Sequence, residues 1–113
     1  MADKSLFAEF FGDYPLIRVM DFLIECREFD YSKKDISRNA DIAWNTLEGL
    51  WKHLKEEKII VFTRKSGKAD MYKLNMENPA VQKLIELDNN LMKKSMEKIE
   101  ATAKPKTIAK EFA

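Results

Sequence analysis

The chain has one cysteine, Cys26, and one histidine, His53. A single cysteine excludes an internal disulfide and a multi-cysteine zinc site, and a single histidine leaves no His-based metal cluster. Cys26 ends an apolar run with no histidine near it, so both residues are read as structural. Asp21, Glu25 and Glu28 stand at i, i+4 and i+7 and share one helix face. With no histidine or metal ligand beside them, they read as a solvated acidic stripe. There is no Gly-rich phosphate loop and no nucleophile motif. The sequence therefore predicts no enzymatic activity, no cofactor and no bound metal.

The chemistry that remains is hydrogen bonding and positive charge. Asn45 can make a bidentate pair with adenine, Thr46 and Lys52 can bond bases or phosphates, and Ala43 can pack on a thymine methyl. Glu48 can accept from the amino group of cytosine, or simply repel phosphate. Trp44 can stack on a sugar or base, or fill a gap against the helix before it. Lys33, Lys34 and Arg38 could clamp a phosphate backbone, with Ser32 or Ser37 adding hydroxyl bonds. Arg64, Lys65 and Lys68 surround Ser66-Gly67, a cationic turn suited to phosphate or a minor groove. These cations are concentrated. The chain has a formal net charge of +1, yet residues 32–68 hold nine basic and five acidic side chains, whereas residues 1–31 hold three and seven. Local charge decides attraction to a polyanion more than the total does.

Elements that could position these side chains are legible in the apolar pattern. With 113 residues, 45% of them hydrophobic and only three Gly and three Pro, the chain is one domain's worth of helix-rich sequence. Leu6, Phe7, Phe10 and Phe11 lie at helical spacing before Gly12-Asp13. From Pro15 to about Arg27 the apolar content is dense enough for a helix buried on most of its circumference. Ser32 and Asp35 predict a capping box opening a helix over 33–39, with Ile36 and Ala40 inward. After a turn at 40–42, Leu47, Leu50, Trp51 and Leu54 predict a helix over 43–57. The period then changes. Residues 58–64 are β-branched and aromatic, Ser66-Gly67-Lys68 is a turn signal, and residues 71–75 alternate, which together predict a hairpin. Asn78-Pro79 predicts the start of a last helix running to about residue 101.

Three helices, a hairpin and a final helix is the winged helix-turn-helix order: mainly α with a small β-hairpin. Particular residues add to it. Asp35-Ile36-Ser37, Ile42-Ala43-Trp44-Asn45-Thr46-Leu47, Leu50 and Leu54-Lys55-Glu56-Glu57-Lys58-Ile59-Ile60 together resemble archaeal winged helix-turn-helix transcription regulators of the broad MarR/ArsR-like group. The opening Leu6-Phe7 to Phe11-Gly12-Asp13-Tyr14-Pro15-Leu16 is similar to the start of such proteins. The resemblance implies a DNA-binding regulator, a repressor in the first instance, reading the major groove with helix 43–57 and touching backbone or minor groove with wing 64–68.

The expected organisation is an aromatic segment over 1–13, the winged-helix domain over 14–76, a dimerisation helix over 78–101 and a mobile tail over 102–113. In the last helix, Val81, Leu84, Ile85, Leu91, Met92, Met96 and Ile99 form a stripe interrupted by Asp88 and Ser95. Leu84, Leu91, Met92, Met96 and Ile99, with Leu6, Phe7, Phe10 and Phe11, are the expected homodimer interface. The opposing possibility is packing within one chain. A dimer would present two reading helices roughly 34 Å apart, matching successive major grooves of double-stranded DNA. No apolar run is long enough to span a bilayer and no signal-peptide core is present, so the expected location is cytoplasmic. Two alternatives stay open on sequence alone. One is a sequence-tolerant DNA-coating, chromatin or segregation protein. The other is a protein–protein winged helix that never touches DNA.

Overall fold

A computed structural model describes residues 5–103. The elements in chain order are α1 (Leu6–Phe11), α2 (Pro15–Glu25), β1 (Tyr31–Ser32), α3 (Lys33–Asn39), α4 (Trp44–Glu56), β2 (Ile60–Ser66), β3 (Ala69–Leu74) and α5 (Pro79–Ala103). The expected architecture is present, with one addition. The sheet has three antiparallel strands in the order β1-β3-β2, and β1 pairs Tyr31 with Tyr72 and Ser32 with Met71. Two residues are too few to produce an alternating pattern, so β1 has no signature in the sequence. It exists because the free edge of β3 offers unpaired backbone groups.

Local chemistry sets the boundaries of the helix-turn-helix unit. Ser32 Oγ accepts the Asp35 N–H at 3.1 Å and the Asp35 carboxylate accepts the Ser32 N–H at 3.4 Å, which completes the predicted capping box. Both α3 and α4 then end in the same way. Ile42 N–H donates to Ser37 O and Asp41 N–H to Arg38 O. Ile59 N–H donates to Leu54 O and Lys58 N–H to Lys55 O. This is the paired Schellman pattern, and it forces the residue just past each helix into the left-handed region. Those residues are Asp41 at φ 55° and Lys58 at φ 56°, where glycine would be least strained. The Ser37 hydroxyl also donates to Ile42 O at 2.8 Å, which ties the turn to the helix before it.

The hairpin closes through Gly67 at φ 63°, the first central residue of a two-residue loop, where a type II′ turn favours glycine. Asn78 caps α5 as its position predicted, with Oδ1 accepting the Ala80 N–H at 2.9 Å. Its amide also donates to the carbonyls of Glu57 and Lys58, so one side chain fixes the start of α5 against the end of α4.

The core joins every layer. Val19, Met20, Leu23 and Ile24 of α2 meet Ile36 and Ala40, then Leu47, Trp51 and Leu54 of α4, with Ile60 and Leu74 from the sheet and Val81 from α5. Phe7 belongs to this core and is 1% exposed. Phe7 and Leu84 were expected on a surface shared with a second subunit. Phe7 instead lies inside, because α1 turns Phe7 and Ala8 inward, and Leu84 packs partly buried on the same cluster. Among the described residues no helix is long and apolar enough to cross a membrane. Helix α5 continues to Ala103, and the part of the expected tail from 104 onward lies outside the described residues.

Candidate nucleic-acid interface

The buried edge of α4 is set by Leu47, Trp51 and Leu54, and the remaining face turns outward. Ala43, Trp44, Asn45, Thr46, Glu48, Gly49 and Lys52 are all exposed. All of these but Gly49 are residues that the sequence offered for contact with DNA. Nothing lies within 4 Å of the point where a Gly49 side chain would begin, so the helix backbone itself is open there.

Two neighbours hold this helix in place. Arg18 of α2 binds Asp13 through Nε at 2.7 Å and Nη2 at 3.1 Å, and its Nη1 donates to Asp41 O at 2.8 Å. The turn between α3 and α4 is thereby pinned to α2. Trp51 stacks edge-on against Tyr72 of β3, with ring centroids 4.8 Å apart, which fixes α4 against the sheet.

The basic side chains expected to meet phosphate fall into two groups. Lys34, Lys52 and Lys68 are exposed and, among the described residues, hold no ion pair. The others are partnered. Arg64 donates to Asp30 from Nε at 3.0 Å and Nη2 at 3.1 Å. Lys65 binds Asp70 at 2.9 Å, and Arg38 lies 3.9 Å from Asp35. Lys33 bonds Glu48 and sits 5.0 Å from the ring centres of both Trp44 and Trp51. The Ser32 and Ser37 hydroxyls, expected to reach a backbone, are engaged in the cap and the turn. Trp44 is 46% exposed, so it covers Lys33 with part of its surface and leaves the rest open.

Sequence reasoning missed Asp30 and Asp70, the carboxylates that hold the wing cations. Asp70 faces Lys65 across β2 and β3 in register, a pairing visible once the hairpin is aligned. Asp30 is 34 residues from Arg64 and left no local signal. It meets the wing because the register shifts between Phe62 and Arg64, leaving Thr63 as an extra residue. A bulge lets adjacent residues reach the same side of a strand. Thr63 and Arg64 both donate to Asp30 for that reason, and the Arg64 and Thr63 bonds hold the Asp30 carboxyl below the usual carboxylate range.

Lys33, Glu48, Trp51, Lys52, Lys55 and Glu56 line an open cleft of about 380 Å³ along α4. A capped turn, an exposed polar helix and an adjoining hairpin define a winged helix-turn-helix. No family model matches the chain, and no curated protein matches it. Solved structures do match. MepR, a transcription regulator of the Staphylococcus aureus multidrug efflux pump MepA, aligns with a TM-score of 0.59 at 12% identity over 92% of this chain and 75% of its own. NadR in complex with 4-hydroxyphenylacetate gives 0.62 at 18% over 92% and 77%. NMB1585, a MarR family regulator from Neisseria meningitidis, gives 0.60 at 20% over 95% and 76%. At these identities the likeness establishes the fold.

Proposed function

We propose that the chain is a DNA-binding transcription regulator that inserts α4 into the major groove and sets its wing on the neighbouring backbone. The observation that carries this reading is the exposed polar face of α4 on a winged helix-turn-helix frame whose hairpin carries Arg64, Lys65 and Lys68. The comparison structures fit it, among them a MepR mutant bound to an oligodeoxyribonucleotide, which aligns over 93% of this chain with a TM-score of 0.58. Asn45, Thr46 and Ala43 are the candidate base contacts, and Lys34, Lys52 and Lys68 the cations most available to phosphate. The role is binding rather than catalysis, in the cytoplasm, and repression is its simplest form. Affiliation with the archaeal group rests on the sequence motif alone.

A homodimer belongs to the same proposal. Phe10, Met92, Met96 and Ile99 are each more than half exposed in the single chain, and Phe11 is 37% exposed, so α1 and the second half of α5 present apolar surface. Neither the coating role nor a DNA-free protein contact is favoured by any feature of the site.

The deciding experiment is a gel shift against random and genomic duplexes at several salt concentrations. Binding at roughly 50 mM salt that weakens steeply as salt rises is expected. No retained duplex at that salt overturns the DNA reading. Replacing Asn45 should relax sequence preference, whereas Lys52→Ala and Lys68→Ala should weaken all sequences alike. Light scattering on the whole chain should give twice the monomer mass. Met96→Lys should lower it to the monomer value, and an unchanged mass would remove α5 from the interface.

A further inference from the structure

Glu48 is an acidic residue on a surface otherwise suited to a polyanion, and simple repulsion would make it a liability there. The structure gives it a different setting. Its Oε1 accepts from Lys33 Nζ. Lys33 Nζ itself lies over two indole rings, 5.0 Å from the centres of Trp44 and Trp51. The carboxylate is therefore paired with and oriented by this cation. Its other oxygen, Oε2, has no hydrogen-bond partner among the described residues. The side chain is 48% exposed, on the turn of α4 that follows Asn45. Gly49 beside it adds no bulk, so the helix can approach a groove floor closely at this level.

From this geometry we infer that Glu48 is a specificity-determining residue that selects cytosine, with Lys33 as its positioning partner. The inference rests on the DNA-binding reading above. Oε2 is an acceptor only, and in the major groove the exposed donors are the amino groups of cytosine and adenine. Adenine sets its amino group beside the N7 acceptor, which opposes a carboxylate. Cytosine has no acceptor at that edge. The paired lysine lowers the cost of bringing the carboxylate near phosphates and leaves its free oxygen to discriminate between bases.

Selection from a random duplex pool tests the inference, using the whole chain with its native sequence and the variants Glu48→Gln, Lys33→Met and Lys34→Met. The native chain should enrich a C·G pair at one position of each half-site. Glu48→Gln should bind at least as tightly overall but lose that preference, by on the order of tenfold, or move it to adenine, which a carboxamide pairs bidentately. Lys33→Met removes the charge while keeping an unbranched side chain and should also lose the cytosine preference. Lys34→Met should weaken every sequence alike and keep it. An identical consensus from the native chain and Glu48→Gln, with both binding DNA, overturns the Glu48 assignment and leaves the regulator reading intact. Equal tightening by Glu48→Gln on every sequence does the same and marks Glu48 as plain repulsion. Absence of any retained duplex with the native chain overturns both.

Discussion

Helices α4 and α5 look alike in sequence, since each carries an apolar stripe on a charged cylinder, yet the protein uses them differently. In α4 the stripe is taken up by the core: Leu47 and Leu54 are 0% exposed and Trp51 9%, and Leu50 packs partly buried against that core. In α5 only the first turns dock. Val81 is buried and Leu84 and Ile85 pack on the core, whereas Met92, Met96 and Ile99 are 52–59% exposed. The terminus of α4 is closed by a Schellman pair and by the Asn78 amide. An amphipathic period shows that a face wants cover but not whose core supplies it. In α4 the cover is intramolecular, while the second half of α5 leaves its stripe uncovered in the single chain.

The largest expected effect separates the two stripes. Leu54→Ala removes a fully buried side chain and should cost about 2–5 kcal/mol in urea unfolding. Met96→Ala removes an exposed one and should change the stability of a dilute monomer by less than about 0.5 kcal/mol. If α5 pairs with its twin, Met96→Ala should instead reduce the dependence of Tm on protein concentration. Comparable losses at the two positions in dilute solution would show that α5 docks within one chain.

The contrast also explains how much the sequence disclosed. The helices, the hairpin and the caps at Ser32 and Asn78 follow local rules, so they were legible and their boundaries fell within a few residues. The outward set on α4 followed from its period. What was not legible is what depends on distant residues. Strand β1 exists through its neighbour. The setting of Lys33 needs two rings of α4, and the Asp30–Arg64 pair needs a bulge. Phe7 and Leu84 had the right chemistry for an interface and were taken by the core. Phe10 and Met96 share that chemistry and stay exposed, and hydrophobicity alone does not distinguish these cases.

Three substitutions on or beside α4 should stabilise the fold, and they sharpen the division between fold and candidate ligand face. Lys58 holds a left-handed conformation just past the C-cap residue of α4. Lys58→Gly should gain about 1 kcal/mol, read as a higher urea midpoint with unchanged slope. Asp41→Gly should gain less, because aspartate tolerates this region better than lysine does. Gly49→Ala meets nothing within 4 Å and should gain about 0.8–1 kcal/mol from helix propensity. If the backbone at Gly49 approaches DNA, the same change should weaken duplex binding while raising stability. A gain in stability with unchanged affinity would place Gly49 away from the groove.

The smallest effect lies on α5, where Asp88 interrupts the stripe. Burial pushes its carboxyl above the ordinary aspartate value and the charge of Asp21 adds to this, with Arg27 opposing. A raised folded-state pKa means that the ionised form destabilises the fold. The deficit is fully present above the folded pKa and vanishes as pH falls below the unfolded value. Asp88→Asn should therefore raise Tm at neutral pH by roughly one or two degrees and change it little below about pH 3. Asp30 on the wing side must show the opposite sign. Its folded-state pKa is lowered by Arg64 and Thr63, so its contribution is present above the unfolded value and is lost as pH falls through the folded one. Asp30→Asn should lower Tm at neutral pH and lose that effect in acid. Melting curves of both variants across pH 2–7 would then diverge with rising pH, and parallel curves would show that neither carboxylate feels the environment described.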